Sequence, residues 1–261
     1  MGKDIDEIWL ADFPSDKLEL CLPLLVGQSN NKGILIHEQL LPQLDYNYSA
    51  IPKLKIPFVS LSTSPLSWWQ KHLKRIIDLV VSVIALGILS PVIIILALRV
   101  KTTSSGGIFY RQERIGRWGI PFQIIKFRTM IQSAETSGPQ LATKNDPRYT
   151  KIGGWMRKWR LDEIPQFLNV IKGDMSLVGP RPERAYFTNQ LIEANHLYPY
   201  LWQVRPGITS WGQIKFGYAS DINQMLQRFR FDLLYIENMG LLLDLRILYY
   251  TVIVLFQGKG R

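Results

Sequence analysis

The stretch from Arg157 to Pro182 puts acid, base and phosphate-type chemistry side by side. Asp162 and Glu163 are adjacent in a segment whose apolar positions, Ile164, Phe167, Leu168 and Ile171, recur at helical spacing. At that spacing neighbouring side chains project about 100° apart, so the two carboxylates cannot share one face and suit two different tasks. The plainer reading makes them first-turn acids near a helix N-terminus, with Pro165 tolerated because early amides lack partners. Against it stands Gly179-Pro180-Arg181-Pro182. Two prolines fix the backbone around Arg181, whose guanidinium is the group best shaped for bidentate phosphate contact.

Further cations stand upstream. Gly107–Gly116 and Pro121–Met130 are alternating runs separated by Gly116 and Gly119, which predicts a β-hairpin. In the second run Lys126 and Arg128 are two residues apart, hence on one strand face, where a shared anion would relieve their repulsion. A solvated basic strand edge is the alternative.

Asp162-Glu163-Ile-Pro-Gln, Gly173-Asp-Met-Ser-Leu-Val-Gly-Pro-Arg-Pro182, Lys126-Phe-Arg-Thr-Met130 and Arg205-Pro-Gly-Ile-Thr209 resemble, in order and spacing, the bacterial sugar transferases, monotopic polyprenol-phosphate phosphoglycosyl transferases. The resemblance runs from about Trp69 to the C-terminus. It implies that Asp162 attacks the diphosphate of a UDP-sugar, that Glu163 helps to hold Mg²⁺, and that Lys126, Arg128, Arg157, Arg181 and Pro182 belong to the phosphate site. The phosphosugar would then pass to undecaprenyl phosphate at the cytoplasmic face of the bacterial inner membrane. In many members an arginine follows the Pro-Gly-Ile-Thr motif. This chain has Gln213-Ile-Lys-Phe-Gly-Tyr218 there, leaving Lys215 as a geometrically different substitute or as a solvated loop cation.

The elements that must position these groups can be read from composition and pattern. Of the net charge of +10, residues 1–65 carry five Lys/Arg against eight Asp/Glu and residues 66–261 carry 26 against 13, so the basic character belongs to the second part. Such charge suits nucleic acid, anionic lipid or a phosphorylated substrate. No finger spacing or aromatic RNA-binding signature accompanies it, so nucleic acid is not expected. The single cysteine, Cys21, excludes an internal disulfide and a cysteine-rich metal site. Asp4, Asp6 and Glu7 occupy the place of a signal peptide's basic region. Residues 1–65 offer three short apolar runs, Ile8–Leu10, Ile34–Ile36 and Phe58–Leu61, which predict strands in a segment too small to hold a large core. It would lean on the rest or on another subunit, which makes a homo-oligomer an expectation.

Trp68 and Trp69, suited to a membrane interface, precede Leu79–Leu98, twenty residues without an ionisable side chain. That length is enough to cross a bilayer core. Ser90-Pro91 interrupts it: Pro91 cannot donate to the carbonyl of Gly87, so a kink is expected. Cations on both flanks, Lys71, Lys74 and Arg75 before, Arg99, Lys101, Arg111, Arg114 and Arg117 after, favour the cytoplasm for both ends. Composition leaves a re-entrant hairpin and a single span open; the resemblance implies the re-entrant form.

The polar residues 133–146 predict a mobile loop near the site. Ile152, Trp155, Met156 and Trp159, bordered by Arg157, Lys158 and Arg160, read as an interfacial helix or a core-packed amphipathic one. A helix is expected over Ala185–Asn195, and two apolar helical segments over Asn223–Phe256. Asp244, in a Leu-Leu-Leu-Asp-Leu run, is either a helix N-cap or, as the resemblance implies, a residue near the active site. With His196 the only histidine after His72, a histidine dyad or zinc cluster has little material. The expected fold is α+β and mainly helical, with a re-entrant membrane helix hairpin, interfacial amphipathic helices and a small β-hairpin. Its parts are residues 1–65, a membrane segment 66–101 and a catalytic domain 102–261. A non-catalytic membrane scaffold of a glycan assembly complex would keep the helices but has no need of Asp162, Glu163, Lys126 and Arg181 together.

Overall fold

A computed structural model describes residues 66–135, 138–143 and 146–258, together with the backbone of three strands before them. Those strands are β1 (Glu7–Leu10), β2 (Gly33–His37) and β3 (Phe58–Leu61), with β1 parallel and β3 antiparallel to the central β2. All three lie where the apolar runs predict them. Cys21 and the basic tail 259–261 lie outside the described residues.

Ser67 starts the next element because it can form a reciprocal capping box with Gln70, whose Oε1 accepts from the Ser67 N–H at 2.8 Å. The helix that follows, α1 (Trp68–Thr103), runs 36 residues, longer than the apolar stretch and a single element with Pro91 inside it. Pro91 leaves the Gly87 carbonyl without its usual donor, and the Ser90 hydroxyl takes that place at 2.8 Å.

Both halves of α1 pack on the same domain. In the first half, Lys74 donates to the Val178 carbonyl at 3.1 Å and to Asp244 at 2.6 Å. Arg75 donates to the carbonyls of Val170 and Ile171, and the buried Asp78 accepts from Ser176 Oγ at 2.7 Å and from the Leu177 N–H at 3.1 Å. The second half contributes Leu96 and Val100 to a buried cluster with Phe127, Met156 and Ile164. The opposite side of α1 is bare hydrocarbon, with Ile88 72% and Leu98 63% exposed.

Beyond it, β4 (Phe109–Ile115) and β5 (Pro121–Phe127) form the expected antiparallel hairpin, with Tyr110 opposite Lys126. Two short helices come next, α2 (Gly153–Lys158) and α3 (Gln166–Lys172), followed by β6 (Ser176–Val178) and α4 (Ala185–Ala194). The short strand β7 (Gly207–Thr209) pairs parallel with β6. Three helices complete the described chain: α5 (Trp211–Lys215), α6 (Ile222–Glu237) and α7 (Leu241–Phe256). Side-chain caps start two of them, Ser210 accepting from the Gln213 N–H on α5 and Asp221 from the Gln224 N–H on α6. The largest core joins α4, α6 and α7 through Leu191, Phe229, Ile236 and Ile247. The stripe at Ile152–Trp159 divides: Ile152 and Met156 pack against α1, whereas Trp155 is 51% exposed, so one short helix serves core and surface at once.

Candidate active site

Asp162 and Glu163 fall in a 3-10 turn, Leu161–Glu163, that links α2 to α3, so they precede a helix rather than open its first turn. Arg160 enters this turn in the left-handed region, at φ 52°, which turns the chain back sharply enough to bury both acids. Asn169 fixes the turn's position. Its Oδ1 accepts from the Ile125 N–H at 3.0 Å and its Nδ2 donates to the Gln123 carbonyl at 2.7 Å, clipping α3 to the edge of β5. The clip brings Lys126 onto the acids: its Nζ lies 2.8 Å from Glu163 Oε1.

Arg181 reaches them by a different route. The Gly207 N–H donates to the Pro180 carbonyl and the Gly179 N–H to the Thr209 carbonyl, so the Pro-Arg-Pro and Pro-Gly-Ile-Thr motifs are laced together beside the β6–β7 ladder. From that corner Arg181 Nη1 comes within 3.7 Å of Glu163 and its Nε within 3.8 Å of Glu183. Glu183 is itself buried, bonded to Arg228 at 2.6 Å and to Arg114 at 3.2 Å.

The two neighbouring acids are electrostatically unlike. Glu163 loses solvation by burial, but Lys126, Arg181 and Arg160 outweigh that loss and hold its carboxyl well below the usual glutamate range. Asp162 faces the opposite balance: burial, then the charge of Glu163, pushes its carboxyl above the usual aspartate range, with Lys126, Arg157 and Arg160 opposing. Among the described residues no hydrogen bond or ion pair ends on the Asp162 carboxylate. One acid is clamped by three cations and the other is left unengaged.

Asp162 opens on a cavity of about 470 Å³ whose wall also includes Lys126, Arg128, Arg157 and Arg181. Arg128 is buried and donates to Ser104, and a Cβ on Gly106, at φ +110°, would collide with its guanidinium. Arg157 lies over the Tyr149 ring at 5.1 Å. Residues of the predicted loop, among them Glu135 and Leu141, form part of the wall.

Four sequence candidates are absent from this wall, the first of them Glu163, which is turned to Lys126, Arg160 and Arg181. Pro182 lies outside this cavity and accepts from Arg114 through its carbonyl. Lys215 does not line it; its ammonium lies 4.7 Å from the Trp211 ring centre and 6.0 Å from that of Tyr250. From the same departing segment it is Tyr218 that reaches the cavity. Asp244 is not the N-cap of α7, a place taken by Gly240, and it too is absent from the cavity wall. Its carboxylate joins Lys74 of α1 to Tyr235 of α6, whose hydroxyl donates to Oδ1 at 2.7 Å. Sequence reasoning missed Arg114, Glu183 and Asn169. Arg114 carried a usable signal, since it alternates with Gln112 and Tyr110 on the strand face opposite Lys126.

The donor set also bears on Mg²⁺. Among the described residues no group of three or more His, Cys, Asp and Glu side chains forms a metal cage. Asp162 presents a hard oxygen donor to the cavity, and Glu163 stands next to it in the chain, held by Lys126, Arg160 and Arg181, so the pair fits an ion that uses one or two carboxylates and completes its shell with substrate phosphates.

Residues 69–258 match the family model described as bacterial sugar transferase. The chain is 40% identical over 201 residues to the UDP-N-acetylgalactosamine-undecaprenyl-phosphate N-acetylgalactosaminephosphotransferase of Aeromonas hydrophila, covering 77% of this chain and 47% of that one. It is 39% identical over 207 residues to the UDP-glucose:undecaprenyl-phosphate glucose-1-phosphate transferase of Escherichia coli K12, covering 78% and 45%. A protein of Caulobacter vibrioides with the latter name is 37% identical over 187 residues, covering 69% and 68%. The chain thus spans about half the length of the first two relatives.

Proposed function

Because the chain belongs to the bacterial sugar transferase family, we propose that it transfers a phosphosugar from a UDP-sugar to undecaprenyl phosphate through a covalent intermediate on Asp162. The observation that carries this reading is the unengaged, buried Asp162 carboxylate beside a fully clamped Glu163 in a cation-lined cavity. A scaffold would have no use for it.

In the first half-reaction an Asp162 oxygen attacks the phosphorus bonded to the sugar. The new bond is aspartyl O–P; the bond to the bridging oxygen breaks, and UMP leaves with the electron pair. Lys126, Arg157 and Arg181 neutralise charge on the phosphoryl oxygens. Glu163 holds Lys126 and Arg181 at that position, and it is the residue that would contact Mg²⁺ brought in with the diphosphate. When bound, the ion supplies further charge neutralisation on phosphate oxygens. In the second half-reaction a phosphate oxygen of undecaprenyl phosphate attacks the same phosphorus, and the Asp162 carboxylate leaves, free to react again.

The lipid substrate carries its phosphate at headgroup level, so the site must stand at the membrane surface. The described residues contain one helix apolar enough to enter a bilayer, and both of its halves pack on the domain that holds Asp162. A single crossing would put those two contact regions on opposite sides of the membrane. That arrangement favours entry and exit on one face, the cytoplasmic face of the inner membrane, where UDP-sugars are made. Beyond the helix, Trp155 and the exposed stripe Leu242, Leu245, Tyr249 and Phe256 of α7 supply apolar surface for the interface. The product would start assembly of an exopolysaccharide, capsule, O-antigen or glycoprotein glycan.

The test is to incubate purified protein, Mg²⁺ and undecaprenyl phosphate with UDP-sugars labelled in the sugar-bonded phosphate, following UMP release and label on protein. Wild type should release UMP and carry label when the lipid is withheld. Asp162→Asn should do neither, and an Asp162→Asn protein that keeps normal turnover would end the assignment.

A further inference from the structure

One polar system in the cavity has no part in the phosphate chemistry. Arg114, Gln112 and Tyr110 alternate along one face of β4, with Tyr110 opposite Lys126 in register. The Gln112 amide group is oriented by two neighbours, its Oε1 accepting from Arg114 Nη2 at 2.6 Å and its Nε2 donating to the Tyr110 hydroxyl at 3.1 Å. Nε2 also lies 3.4 Å from Oε1 of Glu135. Glu135 stands on the loop across the cavity and is held in both oxygens by Arg184, at 2.7 and 2.9 Å. Its side chain is nonetheless 34% accessible, whereas Arg184 is only 16% accessible, so the carboxylate is aimed and still open to a ligand. All of these residues line the cavity that contains Asp162.

We propose that Glu135 and Gln112 form the subsite that reads the ring hydroxyls of the hexose being transferred, an inference that rests on the reading of the site as a phosphosugar transferase. A fixed carboxylate accepts hydrogen bonds from hydroxyl groups, and the amide and guanidinium beside it donate to them; a phosphate has no hydrogen to offer the carboxylate when ionised and is repelled by it. Distance selects the hexose over the ribose. Gln112 lies two residues along the strand from Tyr110, roughly 7 Å at the rise of an extended chain. Tyr110 is the neighbour of Lys126, which contacts Glu163, the residue after Asp162. The hexose is bonded directly to the attacked phosphorus, and its far hydroxyls fall at that range. The ribose lies beyond a second phosphate. Glu135 further implies a neutral hexose, since a sugar acid would meet like charge.

The experiment measures binding, separately from turnover, in the Asp162→Asn background. Kd is determined by calorimetry for UMP and for UDP-glucose, UDP-galactose, UDP-N-acetylglucosamine and UDP-N-acetylgalactosamine, with and without Glu135→Gln or Gln112→Ala. Either substitution should weaken the best-bound UDP-hexose roughly ten- to hundredfold for loss of a hydrogen bond to a charged group or its partner, while UMP affinity changes less than about twofold. Weakening of UMP in equal proportion, from a ribose contact or from a displaced loop, would overturn the proposal, as would unchanged hexose affinity. Thermal unfolding of each variant identifies a fold defect, and the two substitutions lie on different elements, so both failing together through folding would also count against a shared subsite. If the parent binds neither UMP nor any UDP-sugar, the proposed function itself fails.

Discussion

Replacing Lys126 by Met tests the division of labour between the two acids. The ammonium lies 2.8 Å from Glu163, whose other cations are at 3.4 and 3.7 Å, and it is the strongest of the cations opposing the upward push on Asp162. Its removal therefore leaves Glu163 partly held but deprives Asp162 of its main counter-charge. A nearby opposite charge favours the ionised form of a carboxyl, so its loss should push Asp162 further above the usual aspartate range. Only ionised Asp162 is a nucleophile. The acid limb of kcat/KM for UMP release should then move to higher pH, with each unit of that movement costing about tenfold in rate below the limb. On the alkaline plateau a further loss of roughly ten- to hundredfold remains, from the missing phosphate contact. The profile is measured from pH 5.5 to 9.5 for wild type, Lys126→Met and Lys126→Arg, the last of which should keep the wild-type limb. A plateau loss with an unmoved acid limb would refute the claim that Lys126 sets the ionisation of Asp162.

Lys215→Met should leave kinetics for the UDP-sugar near wild type, since its ammonium rests on Trp211 and Tyr250 outside the cavity; the expected cost is about 0.5–1 kcal/mol in thermal unfolding. A tenfold kinetic loss would place it at the phosphates after all. Asp232, buried and accepting from the Gly212 N–H, is pushed up to about 6 by burial, so the folded state binds its proton more tightly than the unfolded state. Stability from that group is present below about pH 4 and is lost as pH rises towards 6. Asp232→Asn should therefore gain in Tm relative to wild type between pH 4 and pH 7, and a constant difference would contradict this. Cysteines at Ser67 and Ser104, flanking α1, should both be shielded from an impermeant thiol reagent in intact cells; labelling of only one would show a true span.

Features encoded by neighbouring residues were legible in the sequence. The hairpin, the helices at the C-terminal end and the meeting of Lys126 and Arg181 with the acid pair all follow from alternation, helical spacing and motif. What escaped depends on partners far along the chain. Asp162 and Glu163 look interchangeable as neighbours, and only the folded arrangement shows that the cations collect on Glu163. Asp244 sits in a local context that suggests a cap, but its partner Lys74 is 170 residues away. Lys215 was read by analogy with a missing arginine, and the indole beside it offered a nearer destination. Nothing in the spacing of Asn169 announces that its amide bonds to two positions of β5.

Arg75 grips carbonyls in the last turn of α3 while the other end of that helix begins at the acid turn. With Lys74 and Asp78 it ties α1 to the helix and strand on either side of the turn that follows Ile171. A spanning helix adjusts to bilayers of different thickness by tilting, and a domain on its end would rise and sink with it. On the proposed topology, with entry and exit on one face, α1 would have no hydrophobic length to match against the opposite leaflet. The height of Asp162 above the lipid phosphates would then be a dimension of the protein, set by side-chain contacts and indifferent to the length of the acyl chains beneath it.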